Sequence, residues 1–144
     1  MSELFLPLSL TVSRLIAAPQ TRVFNAWLDP AMMTRFMSPR PNMHVREARS
    51  DARVGGRFFV MMVSDKDLPH EGTYREITPH SRLVFTWEAP WSAPGTTVTI
   101  TFRPVDGGTQ VELTQVRFMS EEARDNHAAG WTGILEKLAA AVVA

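Results

Sequence analysis

The alternation of apolar and polar residues near the start of the chain predicts a strand, which then gives way to helical spacing. Residues 8–17, LSLTVSRLIA, alternate between two faces. In APQTRVFNAWLDP, Pro19 suits a first helical turn and Pro30 suits a helix end, with four apolar side chains at helical spacing between them. The prolines of SPRPN end a second short helix. We therefore expect helices around residues 19–28 and 30–37 after the first strand.

Six further segments alternate in the same way and are joined by turn sequences. They form three pairs: MHVREARS with RFFVMMV, EGTYREI with RLVFTWEA, and TTVTITFRP with TQVELTQVRF. The connections DARVGG and VDGG contain Gly-Gly and Asp-Gly, which are strong hairpin signals between β-branched strands. PWSAPG, which joins the second pair to the third, is expected to be a mobile loop. The pattern predicts a meander of these six strands, and about seven strands in all.

The final segment is predicted to be one long helix that begins near Ser120. Ser120 is a good N-cap, and Glu121 and Glu122 occupy the first turn, where the helix dipole favours acidic groups. One stripe of this helix contains Ala123, His127, Gly130, Trp131, Ile134, Leu135, Leu138 and Val142. A meander has one face to bury, and no other element is long enough to cover it. The fold class is therefore α+β: a curved antiparallel sheet of about seven strands around a long C-terminal helix, with two short helices between strands 1 and 2. We expect one domain over residues 1–144.

Two glycines in the last helix require an explanation, because each costs about 1 kcal/mol relative to alanine. Either they permit a close approach to the helix, or they border a space that stays open. A single helix about 10 Å wide cannot fill a broad concave sheet, so we expect a cavity between the two. We place Gly130 against that cavity with Trp131 closing one end, and we place Gly133 at a close contact between helix and sheet.

The composition excludes several classes of function. Fifteen basic residues balance fifteen acidic ones, so no net charge directs the protein to nucleic acid or to a membrane surface. The chain has no cysteine, which removes disulfide and thiolate chemistry. The first residues, MSELFLPLSL, lack the features of a signal peptide, and no apolar stretch approaches the ~20 residues of a membrane helix. We expect a cytoplasmic protein that binds neither nucleic acid nor membrane, and homodimer formation stays open.

Five stretches together resemble the domain named after activators of the heat-shock chaperone ATPase, in the START-like (SRPBCC) helix-grip superfamily. They are APQTRVFNAWLDP, ARVGGRF, GTYREITPHSRLVFTWE, GGTQVELTQ and EEARDNHAAGWTGILEKL. The resemblance implies a helix-grip fold with an internal apolar cavity, and a stress-related setting. Many relatives bind lipids, sterols, polyketides or other small apolar molecules, and some are cyclases.

Two departures from the family pattern change what the resemblance implies. Relatives often carry a Trp-Trp-Gly-Pro-like stretch after the second helix, where this chain has Phe36-Met37-Ser38-Pro39. We therefore expect a less bulky and more adaptable pocket mouth. The eukaryotic co-chaperones carry a further N-terminal domain that docks on the chaperone. We expect no such domain here, which argues against the co-chaperone role.

Strand alternation and the helix stripe assign side chains to the predicted cavity. The candidate ligand-binding residues are Phe36, Phe58, Met62, Tyr74, Phe85, Trp87, Gln115, His127, Gly130 and Trp131. A few polar groups between apolar walls are typical of small-molecule sites. His127 and Trp131 also fit a plain structural role, as core residues whose polar atoms are satisfied.

Candidates for catalysis come from the same region. His127, with Tyr74 or Glu76, could move protons on a carbonyl substrate held against Trp87 and Trp131. Glu76 is more simply an ion-pair partner or an acceptor at the end of its strand. No G-x-S-x-G, phosphate-loop or dinucleotide motif is present, and the four histidines lack metal-ligand spacing. We expect no metal and no cofactor.

Binding of a small, mostly apolar ligand is thus the leading hypothesis, because nothing in the sequence supplies a nucleophile or a cofactor. One alternative is a cyclase- or dehydratase-type enzyme that acts on a carbonyl or polyketide-like substrate. Another is a stand-alone modulator of a chaperone ATPase. Binding and catalysis both need an open cavity, whereas the modulator does not.

Overall fold

The computed structural model describes residues 8–143, and the elements of this part follow the predicted order. They are β1 (Ser9–Ile16), α1 (Gln20–Ala26), α2 (Pro30–Phe36), β2 (His44–Ser50), β3 (Arg57–Val63), β4 (Asp67–Thr78), β5 (Arg82–Thr86), β6 (Thr97–Val105), β7 (Gly108–Val116) and α3 (Glu121–Val143). The expected absence of a signal peptide concerns residues that lie mostly outside the described part of the chain.

The strands form one antiparallel sheet in the order β1-β7-β6-β5-β4-β3-β2. Strands β2 to β7 are the predicted meander. Strand β1 joins it at the far side by pairing with β7, from Ser9 opposite Val116 to Ile16 opposite Thr109. The sheet curls into a half-barrel that grips α3, and α1 and α2 pack beside that helix. The predicted α+β helix-grip fold is confirmed.

Strand β4 is longer than the pattern predicts, because it continues through a proline. The pattern begins this strand at Glu71, whereas its pairing with β3 begins at Asp67 and includes Pro69. Strand β5 ends at Thr86, so the first part of β4 has a full ladder on its β3 side only. Proline is tolerated at such a local edge, where its missing N–H costs no ladder hydrogen bond. The extension places His70 in the sheet.

A β-bulge in β4 changes which side chains face the interior. The register with β5 shifts between Tyr74 and Glu76. Tyr74 is buried, but the Glu76 side chain is partly exposed, pairs with Arg82 at 3.1 Å and accepts a hydrogen bond from Thr78 at 2.8 Å. The expected inward position of Glu76 is therefore wrong, because regular alternation stops at a bulge. The alternative, an ion pair near the end of the strand, is what the structure contains.

Helix α3 begins as predicted and buries the predicted stripe from Trp131 onward, whereas Ala123, His127 and Gly130 are only half-buried. The Ser120 hydroxyl accepts a hydrogen bond from the Ala123 N–H at 3.1 Å. The buried side chains of the helix are Trp131, Ile134, Leu135, Leu138, Ala141 and Val142. Within residues 8–143, no helix is both long and apolar enough to span a membrane.

Gly133 does mark a close contact of α3, but the contact is not with the sheet. A Cβ at this position would collide with the backbone carbonyl of Pro39, in the connection between α2 and β2. One turn later, the Lys137 Nζ donates to the Ser38 hydroxyl at 2.7 Å and to a backbone carbonyl of the same connection at 2.6 Å. We call residues 38–43 the clamped loop, because α3 holds it at these two positions.

Candidate functional site

The sheet and α3 leave a pocket of 290 Å³ between them. Its apolar walls come from β3, β4, the segment after β5 and α3, and contain Met62, Leu68, Trp87, Trp131 and Ile134. Its rim is formed by the clamped loop, the β3–β4 turn and the first half of α3, through Pro39, Arg40, Met43, Ser64, Asp65, Lys66 and Asn126. The volume lies just below the range of about 300–1,000 Å³ for ligand pockets, so it suits a small molecule.

Two buried tryptophans from different elements meet at the pocket wall. Trp87 follows β5, and its ring centroid lies 4.9 Å from that of Trp131 in α3. The Trp131 Nε1–H donates to Gln115 Oε1 at 2.6 Å. This bond satisfies the polar atom of Trp131 and fixes the orientation of its ring, so the wall is a rigid aromatic surface.

A second aromatic layer lies behind this wall. Phe58 packs against Tyr74, Phe85 and Trp87, with ring centroids 5.4, 5.2 and 6.2 Å apart. The Tyr74 hydroxyl is hydrogen-bonded to Ser50 at 2.8 Å, and burial raises the pKa of Tyr74 to about 12. Phe58, Tyr74 and Phe85 therefore support the wall from behind and are not among the residues that line the pocket.

Phe36 also lies away from the pocket. It is fully buried at the end of α2 and packs edge-on against Trp27, with ring centroids 5.1 Å apart. Of the stretch Phe36-Met37-Ser38-Pro39, only Pro39 reaches the rim. The expected effect of this stretch on the pocket mouth therefore depends on one residue of the four.

His127 lies half-buried in the pocket wall, one turn before Gly130 and Trp131. Its Nδ1 is 2.8 Å from the Ala123 carbonyl oxygen, and its ring packs near Phe118. A carbonyl oxygen only accepts, so Nδ1 is the donor in this hydrogen bond. No carboxylate within residues 8–143 forms an ion pair with this histidine.

His70 is the principal pocket residue that the sequence analysis missed. Its side chain is 7% exposed, and its ring lies between Trp87, at 4.9 Å, and the edge of Trp91, at 5.4 Å. Its Nδ1 is 2.9 Å from the Leu68 carbonyl oxygen, which leaves the lone pair on Nε2. Nε2 has no hydrogen-bond partner within residues 8–143, and His70 is one of the residues that line the pocket.

The protonation state of His70 follows from its surroundings. Burial lowers the pKa of His70 to about 4, against the opposing effect of the hydrogen bond to Leu68, and the nearby His127 lowers it further. The ring is therefore neutral at neutral pH, and its Nε2 is a hydrogen-bond acceptor at the pocket wall.

The candidate acid–base residues do not come together as expected. The Tyr74 hydroxyl is bonded to Ser50, and Glu76 lies near the end of β4 with its side chain partly exposed and paired with Arg82. His127 is joined in the pocket by His70 instead. The part of the chain that the structure describes contains no group of three or more metal-ligating side chains.

Gln115 borders a second, smaller cavity of 60 Å³ instead of the pocket. Trp91 and His127 line both spaces, so the two cavities are neighbours. Of the ten candidate ligand-binding residues, the pocket is lined by Met62, Trp87, His127, Gly130 and Trp131.

Comparisons with known proteins agree with this architecture. Residues 17–143 match the family model described as Activator of Hsp90 ATPase homolog 1-like protein. A protein of known structure from Chromobacterium violaceum is 27% identical, with a TM-score of 0.86 over 94% of this chain and 97% of its own. An AHSA1-like protein from Aeromonas hydrophila is 27% identical, with a TM-score of 0.82 over 94% of this chain and 92% of its own. An AHSA1 protein from Silicibacter pomeroyi, 24% identical, shares the fold with a TM-score of 0.79 over 94% of this chain and 98% of its own. No curated protein gives a significant match.

Proposed function

This chain belongs to the family of Activator of Hsp90 ATPase homolog 1-like proteins, and we propose that it binds a small, mostly apolar molecule in the pocket between the sheet and α3. The observation that supports this most directly is the pocket itself, an open volume of 290 Å³ beside two packed tryptophans. Burying an apolar molecule there removes apolar surface from water, at about 25 cal/mol per Å². A protein that acts only through its outer surface has no need of such a space.

The walls favour a flat, aromatic body with one or a few polar atoms. The rings of Trp87, Trp131 and His70 offer surfaces for stacking. The Nε2 lone pair of His70 would accept a hydrogen bond from a ligand hydroxyl or N–H. The rim carries charges of both signs, Arg40 and Lys66 against Asp65, and therefore selects weakly by charge.

Binding can be tested with 2-ethylnaphthalene as a neutral aromatic probe. The change in tryptophan fluorescence on titration reports on the pocket, because Trp87 and Trp131 line it. Gly130→Leu would place a branched side chain at the pocket rim, and we expect binding at least tenfold weaker in this variant. Ala129→Leu adds the same side chain at an exposed position one residue away and should bind as the wild type does.

Two results would contradict the proposal: no saturable binding to the wild type, or equal binding to the wild type and Gly130→Leu. Native mass spectrometry of the protein as purified adds an independent measurement. A retained molecule of defined mass would identify the natural ligand class.

A second candidate function, catalysis of the cyclase or dehydratase type, is favoured by the unpaired Nε2 of His70 in the pocket lining. A neutral imidazole at the wall of an apolar pocket can act as a general base on a bound carbonyl compound. The test is deuterium exchange at the methyl group of 2-acetylnaphthalene in D₂O, followed by NMR. An enzyme of this type should accelerate the exchange, and His70→Gln should abolish the acceleration. A protein that only binds the ketone leaves the exchange rate unchanged.

A further inference from the structure

The smaller cavity beside the pocket contains hydrogen-bonding groups that the protein itself does not satisfy. Its lining residues are Trp91, Ser92, Ala93, Thr96, Gln115, Arg117, Phe118, Met119, Ala123 and His127. Its 60 Å³ exceeds the space for one water, which needs about 10–15 Å³. A group of a few heavy atoms therefore fits inside it.

The side-chain amide of Gln115 is held with its donor end free. The Trp131 Nε1–H can only donate, so the atom of Gln115 that lies 2.6 Å from it must be the oxygen Oε1. The amide nitrogen Nε2 is then fixed at the other end, and it is fully buried without a partner within residues 8–143. A buried donor without a partner costs about 1–3 kcal/mol, so an acceptor is expected at this position.

Two further groups give the cavity the character of an anion site. The Ser92 hydroxyl is also buried and unpaired within the described residues. Arg117 is the charged side chain of the lining, with its Nε–H donating to the Pro94 carbonyl at 3.2 Å, and no acidic residue between positions 8 and 143 lines the cavity. The guanidinium nitrogens beyond Nε have no protein partner in that range.

The backbone at Arg117 is held in a conformation that arginine rarely adopts. Its φ is +74°, in the left-handed region, which costs a non-glycine residue of the order of 1 kcal/mol. The Thr96 hydroxyl donates to the Arg117 carbonyl at 2.8 Å, and the Arg117 N–H donates to the Leu8 carbonyl at 3.1 Å. Strain of this kind is concentrated at functional sites, where the surrounding structure maintains it.

We infer that the smaller cavity binds a carboxylate group of the ligand whose apolar part occupies the pocket. A carboxylate is a pure acceptor with four lone-pair positions, and it complements an amide N–H₂, a hydroxyl and a guanidinium. Trp91 and His127, which line both spaces, are where one molecule would pass from the first to the second. The ligand class is then an apolar monocarboxylic acid. This inference rests on the proposed function.

The test compares three probes with the same aromatic body: 2-naphthylacetate, 2-naphthylacetamide and 2-ethylnaphthalene. In the wild type, calorimetric titration should give at least tenfold tighter binding of the carboxylate than of the amide. Arg117→Gln and Ser92→Ala should each reduce this preference, while the affinity for 2-ethylnaphthalene stays the same. Arg103→Gln removes an exposed arginine elsewhere in the sheet and should leave all three affinities unchanged.

A spectroscopic measurement shows directly whether the cavity is occupied. In ¹⁵N-labelled protein, the side-chain amide signals of Gln115 should shift with 2-naphthylacetate and not with 2-ethylnaphthalene. Equal affinities for the carboxylate and the amide, or a preference that survives in Arg117→Gln, would overturn the inference. If 2-ethylnaphthalene binds in those cases, the proposed function stands and the cavity holds water only. If none of the three probes binds, both the function and the inference fail.

Discussion

Gly130 and Gly133 of α3 both face Pro39 of the clamped loop, but the space beside them differs. A Cβ at Gly130 would lie 3.4 Å from the Pro39 Cβ, an ordinary contact distance. A Cβ at Gly133 would collide with the Pro39 carbonyl oxygen, which belongs to the backbone and cannot turn away as a side chain could. The same residue type thus has two explanations: Gly133 permits a close approach, whereas Gly130 leaves the pocket rim open.

This difference predicts opposite effects of the same substitution. Gly130→Ala should stabilise the protein by up to about 1 kcal/mol, because alanine has the higher helix propensity and its methyl group fits. Gly133→Ala should destabilise it by about 1–3 kcal/mol, because the loop must move. Urea unfolding at neutral pH measures both. A stabilising Gly133→Ala would show that the clamped loop is not held against α3.

The buried His70 predicts a pH dependence of stability. Its pKa is about 4 in the folded protein and about 6.5 in the unfolded chain, so between these values the unfolded chain binds more protons. The free energy of unfolding should therefore fall as the pH falls from 6.5 to 4, by about 3 kcal/mol for this group, and be unaffected by it above 6.5.

The variant His70→Gln should lack this part of the pH dependence. Urea unfolding of the wild type and the variant at pH 7.5 and pH 4 measures this contribution. The other titrating groups affect both proteins equally, so their effects cancel when the two changes in unfolding free energy are subtracted. His44→Gln, at an exposed histidine, is the matched control and should follow the wild type. If the wild type and His70→Gln lose the same amount of stability between pH 7.5 and pH 4, His70 is not buried in its neutral form.

At the scale of elements, the clamped loop joins the stability of α3 to the shape of the pocket. The loop supplies Pro39, Arg40 and Met43 to the rim, and α3 holds it through Gly133 and Lys137. Partial burial lowers the pKa of Lys137, yet its ammonium group still donates to oxygen atoms of the loop. The position of the rim therefore depends on this lysine as well as on the close packing at Gly133.

Lys137→Met should loosen this rim while leaving the sheet intact. We expect faster hydrogen exchange in residues 38–43, weaker binding of 2-ethylnaphthalene, and a loss of about 1.5 kcal/mol of stability, typical of hydrogen bonds to a charged group. Glu136→Met changes an exposed neighbour in α3 and should leave exchange in the loop as it is. Unchanged exchange in Lys137→Met would mean that packing at Gly133 holds the loop alone.

The elements were predictable because each depends on local signals. The alternation of β6 and β7, the Asp-Gly turn between them and the Ser120 cap of α3 all act over a few residues, and the structure contains each of them. The bounds were less predictable. Pro69 is tolerated inside β4 because the neighbouring strand β5 ends early. The residues around Pro69 do not indicate where β5 ends, so the start of β4 could not be predicted from them.

The candidate site was only partly accessible to sequence reasoning for the same reason. Alternation places Trp87 and the helix stripe places His127 on the correct faces, but neither distinguishes the pocket wall from the layer behind it, where Phe58 and Phe85 lie. His70 could have been found, because it stands two positions before the inward Gly72 in the same strand. The bulge before Glu76 carries no comparable signal.

At the scale of the whole molecule, the pocket links stability to occupancy. A ligand that binds only the folded protein adds about 2.7 kcal/mol to the free energy of unfolding at one hundred times its Kd. For a domain of this size, that should raise the Tm by roughly 8 °C. We expect this shift for the wild type with 2-ethylnaphthalene and none for Gly130→Leu. A similar shift in both proteins would place the bound probe elsewhere.

The pairing of β1 with β7 has a consequence for the protein during its synthesis. Residues 9–16 pair with residues 109–116, so β1, once it has left the ribosome, waits for its neighbour until about a hundred further residues have been made. Pairing across so long a separation closes late and slowly. Until then, the nascent chain exposes an unpaired strand that can add to the edge of another chain. The interval between the emergence of β1 and the emergence of β7 is therefore the period in which this fold most depends on protection from aggregation.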